Sequence, residues 1–451
     1  MHNAAQFLGK KALVLGLAKS GHAAASLLAT CGASVTLNDS APDNGNPLAE
    51  ELRVQGVHVI CGGHPEDILD AGFDFIVKNP GIPYTNPVIL QAEQLGIPIW
   101  TEIELAYLIS EAPFIGITGS NGKTTTTTLL YHMLNIGDRH PLIAGNIGTV
   151  ASTVASTATA DEVIVLEASS FQLMGVDEFR PHIAIWTNLY EAHLDYHGSA
   201  TAYAEAKAQI TKNQTATDFL IYNADQPVIK RFIENSKATL VPFTTRGRCS
   251  EGISADGESI YWLGEPIISR KKITLPGAHN LENILSATAA ALLYGCERSA
   301  IESVLSSFTG VRHRMQFVTE YDGRKFYNDS KATNTLATKS ALSSFETPTI
   351  LIAGGLDRGH SFEELRPHMT NVKALIGIGE TGDRLLQFAE SCGVGIVHES
   401  GTLREAILVA YAASDIGDTV LLSPACASWD QYPNFEARGD EFIEAVQKLK
   451  A

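Results

Sequence analysis

No two cysteines in this chain are close enough to form a CxxC pair; Cys31, Cys61, Cys249, Cys296, Cys392 and Cys426 are scattered singly. That spacing excludes a zinc ribbon or a thioredoxin-type centre, and the lone thiols read as reduced cysteines of a cytosolic protein. Positive charge is also scarce: 33 Lys and Arg against 50 Asp and Glu leave a formal net charge of −17. This argues against non-specific binding to nucleic acid or anionic lipid. An anionic substrate must then be met by local features such as helix N-termini, a divalent cation and a few placed side chains. No apolar run approaches the roughly 20 residues of a membrane span. The short run ALVLGLA, preceded by Lys10-Lys11 and followed by Lys19, lacks a cleavage site and reads as a first β-strand, not a signal peptide.

With 451 residues, 45% of them hydrophobic and 18% charged, the chain has the composition of a globular protein. Its length suggests about three domains. Short apolar strands alternate with helical patterns, which predicts an α/β fold of mainly parallel sheets with helices on both faces. Three blocks are expected, at 1–102, 103–310 and 311–451. The first has strands at 11–17, 33–39, 57–60 and 73–79. The second opens at Phe114 and continues at 162–170, 182–189 and 218–225, with β-rich segments near 259–264 and a helix over 279–293. The third has strands at 325–330, 347–355, 372–379 and 418–425.

The strongest local signal is PFIGITGSNGKTTTTTLL, an apolar strand, a Gly-rich loop, and Lys123 and Thr124 opening a helix. Loop amides and the helix N-terminus point at an anion, the lysine neutralises outer phosphates, and Thr124 offers a hydroxyl to a phosphate-bound Mg²⁺. Ile117 stands where the strict phosphate-loop spacing wants glycine, so Gly116 and Gly119 must curl the loop differently. Glu167 ends the strand VIVLE, where such a site needs a carboxylate to reach the ion. The loop from Asn188 to Gly198 places His193, Asp195 and His197 within five residues, a candidate metal or catalytic cluster. Gly145-Asn146-Ile147-Gly148 is a loop whose amide suits a carboxylate, although a turn explains it nearly as well. Lys207, in YAEAKAQI, reads by itself as a solvated surface lysine.

Block one starts strand–Gly16-Leu17-Ala18-Lys19-Ser20-Gly21–helix, with Asp39 ending the next strand. This is the layout of a dinucleotide turn, but Ala18 stands where a second glycine would let backbone approach a pyrophosphate. Many doubly wound domains begin this way without a ligand, and the Asn79-Pro80-Gly81 loop is equally well read as a turn. Block three gathers His313-Arg314, Asp329-Ser330-Lys331-Ala332-Thr333, Gly354 to Arg358, and Ser423 to Ser428 at strand ends. Together they suggest an anion docked over that sheet.

GITGSNGKTTT, LEASSFQL, NLYEAHLDYHG with its helical lysine, and GAHNLENILSA resemble the ATP-dependent Mur ligases of peptidoglycan synthesis; the related folylpolyglutamate synthetases share much of this central set. YNDSKATN and LLSPACASWDQYPNFEARG resemble the family member that handles D-glutamate, and the match runs in order over essentially the whole chain. The resemblance implies three domains: a Rossmann-like first domain, a central phosphate-loop ATPase domain and a Rossmann-like third domain. It implies a ligase joining D-glutamate to UDP-N-acetylmuramoyl-L-alanine through an acyl phosphate, cytoplasmic, monomeric, with ATP and two Mg²⁺ ions. Gly119, Ser120, Asn121, Gly122, Lys123, Thr124, Thr125, Asn280, Asn283, Arg314 and Asp329 match ATP contacts. Thr124, Glu167, His193 and Lys207 match positions around the ions, Lys207 as a carbamate. Gly16, Leu17, Ala18, Lys19, Ser20, Gly21, Asp39, Ser40, Gly81, Asn146 and His193 match contacts to the UDP substrate. Lys331, Thr333, Ser428 and Phe435 match the D-glutamate site, where Arg358 stands in for a lysine common in relatives. Closure of the third domain onto the second is expected, because the substrates arrive on different domains. An NAD(P)-dependent oxidoreductase is the rival suggested by the first turn, and Ala18 counts against it.

Overall fold

The computed structural model describes residues 3–275 and 277–449. It falls into two units, Met1–Ile273 with His279–Ser306, and Thr274–Ala278 with Ser307–Ala451.

The first unit contains two sheets. One has five parallel strands in the order His58–Cys61, Ser34–Asp39, Lys11–Leu15, Phe75–Lys78 and Ile99–Trp100. The order reverses at the strand Lys11–Leu15, so the crevice beyond its carboxyl end, beside that of Phe75–Lys78, is the natural ligand position. Ala12 to Leu15 and Phe75 to Lys78 are buried throughout, as strands covered on both faces must be. Helices Pro47–Val54 and Pro87–Gln94 each begin with proline after an asparagine cap, whose side chain accepts the amide of Leu48 or Val88.

The second sheet has nine strands. Its parallel part runs Thr239–Thr244, Phe219–Asn223, Ile183–Trp186, Phe114–Thr118, Val163–Glu167, Pro141–Gly145. Ile253–Ala255 adds in parallel, and Ser259–Trp262 and Glu265–Ser269 close the other edge as an antiparallel ladder. The strand Pro141–Gly145 was not expected from sequence. Its proline is tolerated because it opens an edge strand and removes no interior ladder bond.

In the second unit one sheet runs Gln316–Tyr321, Arg324–Asn328, Thr419–Leu422, Thr349–Gly354, Val372–Ile378, Ile396–Glu399. Only its first pair is antiparallel. The edge strand Ile396–Glu399 also escaped the sequence reading; it is largely exposed and too polar to show an apolar run. Apolar clusters line both faces of this sheet, with Leu351 and Leu421 on one side and Ile350, Ile352 and Val420 on the other. Among the described residues no helix is long and apolar enough to cross a membrane.

Candidate active site

The strand Phe114–Thr118 runs between Val163–Glu167 and Ile183–Trp186. All three are parallel, so the loops leaving them meet at one edge of the sheet. The Gly-rich loop follows the first and leads into the helix Lys123–Ile136, capped by Gly122 in left-handed backbone with φ 81°. A side chain at Gly122 would run into Asn283 Oδ1, and one at Gly119 would run into Thr187 Oγ1. These glycines answer both a backbone and a space requirement. Asn283 Nδ2 donates to Asn280 Oδ1 at 3.2 Å, so two of the expected ATP contacts sit together under the loop. Neighbouring strand ends shape the loop further. Ser120 and Asn121 amides donate to Asn188, at 3.0 Å to its carbonyl and 2.8 Å to its Oδ1. Thr187 Oγ1 donates to the Asn121 carbonyl at 2.7 Å.

Two lysine side chains converge on one carbonyl of this loop. Lys123 Nζ donates to Gly119 O at 2.8 Å and to Ser120 O at 3.0 Å. Lys207 Nζ donates to the same Gly119 O at 2.8 Å and lies 4.4 Å above the Tyr203 ring. Lys207 is 1% exposed, which corrects its reading as a surface lysine: the helix Ala200–Ala208 turns it onto the phosphate loop, not to solvent. Burial, helped by the nearby charge of Lys123, holds its amine well below the usual lysine range. An amine poised to be neutral is a nucleophile.

Glu167 is buried at the strand end beside Ile117. Its Oε1 accepts from Asn146 Nδ2 at 2.9 Å, while the buried Oε2 has no partner. A buried oxygen left unpaired is costly, and a lone carboxyl oxygen beside a phosphate loop suits Mg²⁺, which takes one or two protein carboxylates and fills the rest of its shell with phosphate and water. Thr124, buried in the first turn of the helix, is the accompanying hydroxyl. The donor set therefore fits the ion. Among the described residues, no group of three or more His, Cys, Asp and Glu is gathered as a metal cage.

Among the described residues, the histidine loop shows no group of three clustered ligands. His193 is exposed with left-handed backbone at φ 55° and opens the helix Leu194–His197. His197 turns inward: its Nε2 is 3.0 Å from Ser170 Oγ, and its ring stacks on Phe171 at 5.2 Å. The side chain of Asp195 lies outside the described residues. The two histidines lie one helical turn apart, and Phe171 packs on both rings, at 5.0 and 5.2 Å.

At the first sheet the expected turn is formed and braced. Gly16 has φ 95°, and a Cβ there would come within 2.9 Å of Asn79. Asp39 Oδ2 accepts the Leu17 amide at 2.5 Å and its Oδ1 accepts the Ala41 amide at 2.8 Å. Asp39 thus organises the turn as well as standing at its rim. Asn79 joins the two loops, donating to Ser20 Oγ at 3.1 Å and accepting the Gly81 amide at 3.0 Å. Ala18, Lys19, Ser40 and Gly81 are exposed around it.

In the second unit Asp329 is buried at the end of Arg324–Asn328. It accepts from Ser423 Oγ at 2.9 Å and from the Met315 amide at 3.1 Å, and burial pushes its carboxyl up to about 7. Lys331 Nζ lies 5.8 Å over Phe435, and Arg358 lies 4.9 Å over the exposed Trp429. Ser428 is buried, while Thr333 and Arg314 are half-buried. The buried Arg438 escaped the sequence reading. It donates to Ser330 Oγ and O at 3.1 and 3.0 Å, to Cys426 O at 3.1 Å and to Gly354 O at 3.3 Å. It thus ties together three of the strand-end loops. Thr187, Tyr203 and Lys78 were likewise missed. The strand-end positions of Thr187 and Lys78 offered a signal.

Comparison with known proteins matches residues 10–101 to the Mur ligase MurD-like N-terminal domain, 117–291 to the Mur ligase middle domain, and 313–426 to the Mur ligase glutamate ligase domain. The UDP-N-acetylmuramoylalanine–D-glutamate ligase of Bacillus mycoides strain KBAB4 is 53% identical over 449 residues, covering 100% of both chains. That of Bacillus cereus strain ATCC 14579 is 54% identical over the same length and coverage. Among solved structures, UDP-N-acetylmuramate–alanine ligase from Thermotoga maritima aligns at TM-score 0.58 and 20% identity, covering 97% of this chain and 99% of its own. The MurF ligase of the same organism, in complex with ADP, aligns at TM-score 0.58 and 15% identity, covering 93% and 96%. At those identities the structures speak for the fold alone, but the domain models and the full-length relatives place the chain: it belongs to the Mur ligase family.

Proposed function

We propose that this protein is an ATP-dependent ligase that joins D-glutamate to UDP-N-acetylmuramoyl-L-alanine, releasing ADP and phosphate. What carries the reading is the edge of the second sheet, where Lys123, the buried Lys207, Thr124 and the half-satisfied Glu167 surround one glycine loop. The activity printed for the full-length relatives supports the choice of substrates.

The substrate carboxylate attacks the γ-phosphorus of ATP, ADP leaves, and an acyl phosphate remains. Both reactants are anions, so their approach needs positive charge and in-line placement. Lys123 and those amides of the Gly119 to Gly122 loop not already donated to Asn188 supply part of it, with Thr125, Asn280 and Asn283 completing the nucleotide cradle. Mg²⁺, held by Thr124 and Glu167 with a second ion near His193 and a carbamylated Lys207, would neutralise phosphate charge and polarise the transferring group. The neutral amine of D-glutamate then attacks the acyl carbon, phosphate departs, and the amine's surplus proton passes to a base.

In this reading the turn Gly16 to Gly21, with Asp39, Ser40 and Gly81, holds the uridine diphosphate, and Asn146 and His193 meet the muramoyl-alanine portion. Arg314 and Asp329 contact ATP, and Lys331, Thr333, Arg358, Ser428 and Phe435 receive D-glutamate. A division at 1–102, 103–310 and 311–451 is supported by a separate sheet in each stretch. A monomer is the state proposed for the chain. The acidic composition and small-molecule substrates suit a cytoplasmic enzyme without nucleic-acid partners. The test is phosphate release from ATP and Mg²⁺ with the UDP substrate, comparing D-glutamate, L-glutamate and no amino acid. Turnover should require the UDP substrate and D-glutamate together; turnover indifferent to either overturns the reading.

A further inference from the structure

Lys78 ends the strand Phe75–Lys78 and is 1% exposed. Its ammonium donates to the carbonyls of Ile82 at 2.9 Å, Pro80 at 3.3 Å and Asn79 at 3.4 Å, and to Tyr196 Oη at 3.4 Å. It also lies 4.7 Å over the Tyr84 ring. Tyr196 belongs to the second sheet's histidine loop, yet its hydroxyl lies 2.9 Å from Ile82 O and 3.1 Å from Pro80 O, placed to donate to either. One cation and one phenol therefore share the carbonyls of the loop after the first sheet's switch-point strand.

Burying an ammonium costs several kcal/mol even after relaxation. An apolar side chain would pack at this strand end without that cost, so the cation is spent on geometry. Burial lowers the Lys78 amine to about 8. The far end of the connection is equally defined. Tyr196 follows His193 within a single helical turn, and Phe171 packs on both rings, at 4.6 Å and 5.0 Å. Moving Tyr196 moves the backbone that carries His193.

We propose that Lys78 and Tyr196 form a latch fixing the Asn79–Ile82 loop to the His193 turn, and that this latch sets the distance between the two ends of the bound UDP substrate. The inference rests on the function proposed above, in which that loop meets the uridine diphosphate end and His193 the carboxylate end. Both are positioning residues: neither needs to touch the reacting atoms.

The test compares wild type with Tyr196→Phe, Lys78→Met and the double variant, reading melting temperature, ATP affinity, and kcat and KM for the UDP substrate. A latch predicts that each single variant loses about ten- to a hundredfold in kcat through misplacement. ATP affinity should hold, and the double variant should be no slower than the slower single one, because the two act as one unit. Should Lys78→Met fail to fold, Tyr196→Phe decides alone, since it removes one oxygen and keeps the ring. The proposal is overturned if Tyr196→Phe keeps kcat within about twofold of wild type, or if the single losses multiply in the double variant. A wild-type protein with no D-glutamate-dependent turnover would sink the functional reading instead, and is seen before any variant is made.

Discussion

Glu167→Gln changes one buried oxygen for a nitrogen and tests whether the unpaired Oε2 exists for a ligand. The amide keeps its oxygen where Asn146 Nδ2 donates at 2.9 Å, so the Gly145–Gly148 loop retains its tether. The carboxyl oxygen at Oε2 is buried without a partner, a defect of about 1–3 kcal/mol, more if charged. A neutral amide there is cheaper, by about 1 kcal/mol, which should raise the melting temperature by about 2–4 °C for a domain of this size. Catalysis should move the other way: losing one group that stabilises charge in the transition state costs about 10²–10³ in kcat. Differential scanning fluorimetry and phosphate release on the same preparation read both numbers. Wild type should also be stabilised by ATP with Mg²⁺, by about 2.7 kcal/mol at a hundredfold excess over Kd, and the variant by much less. A variant that melts no higher than wild type and still turns over near the wild-type rate would show that Glu167 only anchors Asn146.

Gly122→Ala places a methyl group on Asn283 and a non-glycine residue at φ 81°; a destabilisation of about 2–4 kcal/mol and a large loss of ATP affinity are expected, measurable by urea titration and nucleotide-analogue fluorescence. Burial pushes Asp329 and Glu102 up to about 7, from 3.8 and 4.5. The folded protein therefore keeps protons that the unfolded chain has released, and stability should fall as pH rises from about 4 to 7. Asp329→Asn and Glu102→Gln should each flatten that slope in urea melts, by up to about 4 kcal/mol for Asp329, and an unchanged slope would count against both burial arguments. The depressed Lys207 amine should react with carbon dioxide: activity is expected to fall in carbon dioxide-free buffer and return with bicarbonate, and Lys207→Met should show neither change.

The phosphate loop was legible because its parts are consecutive: strand, glycines, lysine and threonine fall within a single stretch of sequence. Glu167 was legible for a related reason, a charge at the end of an apolar run. The groups that sequence alone misread have their partners far along the chain. Lys207 is made unusual by a carbonyl 88 positions away, and nothing in the polar pattern of its own helix marks it as buried. Lys78, like Glu167, is a charge at the end of an apolar run, but the loop carbonyls that hold it and Arg438 are groups every residue possesses. Asp39 was placed correctly at the turn, but its bond to the Leu17 amide depends on how the loop folds back over the strand end. The Mur-type resemblance singled out Lys207 only because it compared whole motifs.

The braced turn of the first sheet has a thermodynamic consequence. Gly16, Leu17, Ser20, Asn79 and Gly81 are already fixed to one another or to Asp39, so a molecule entering there has little backbone ordering left to impose. Selection at that crevice is a matter of fit, and rigid, well-shaped analogues should lose little affinity to entropy. At the phosphate loop an arriving anion must compete for the Lys123 ammonium, which is engaged with the Gly119 and Ser120 carbonyls. There the exchange is one electrostatic partner for another, so affinity should track the charge of the visitor and weaken with added salt. Inhibitors aimed at the two places should accordingly obey different rules, shape at the first and charge at the second.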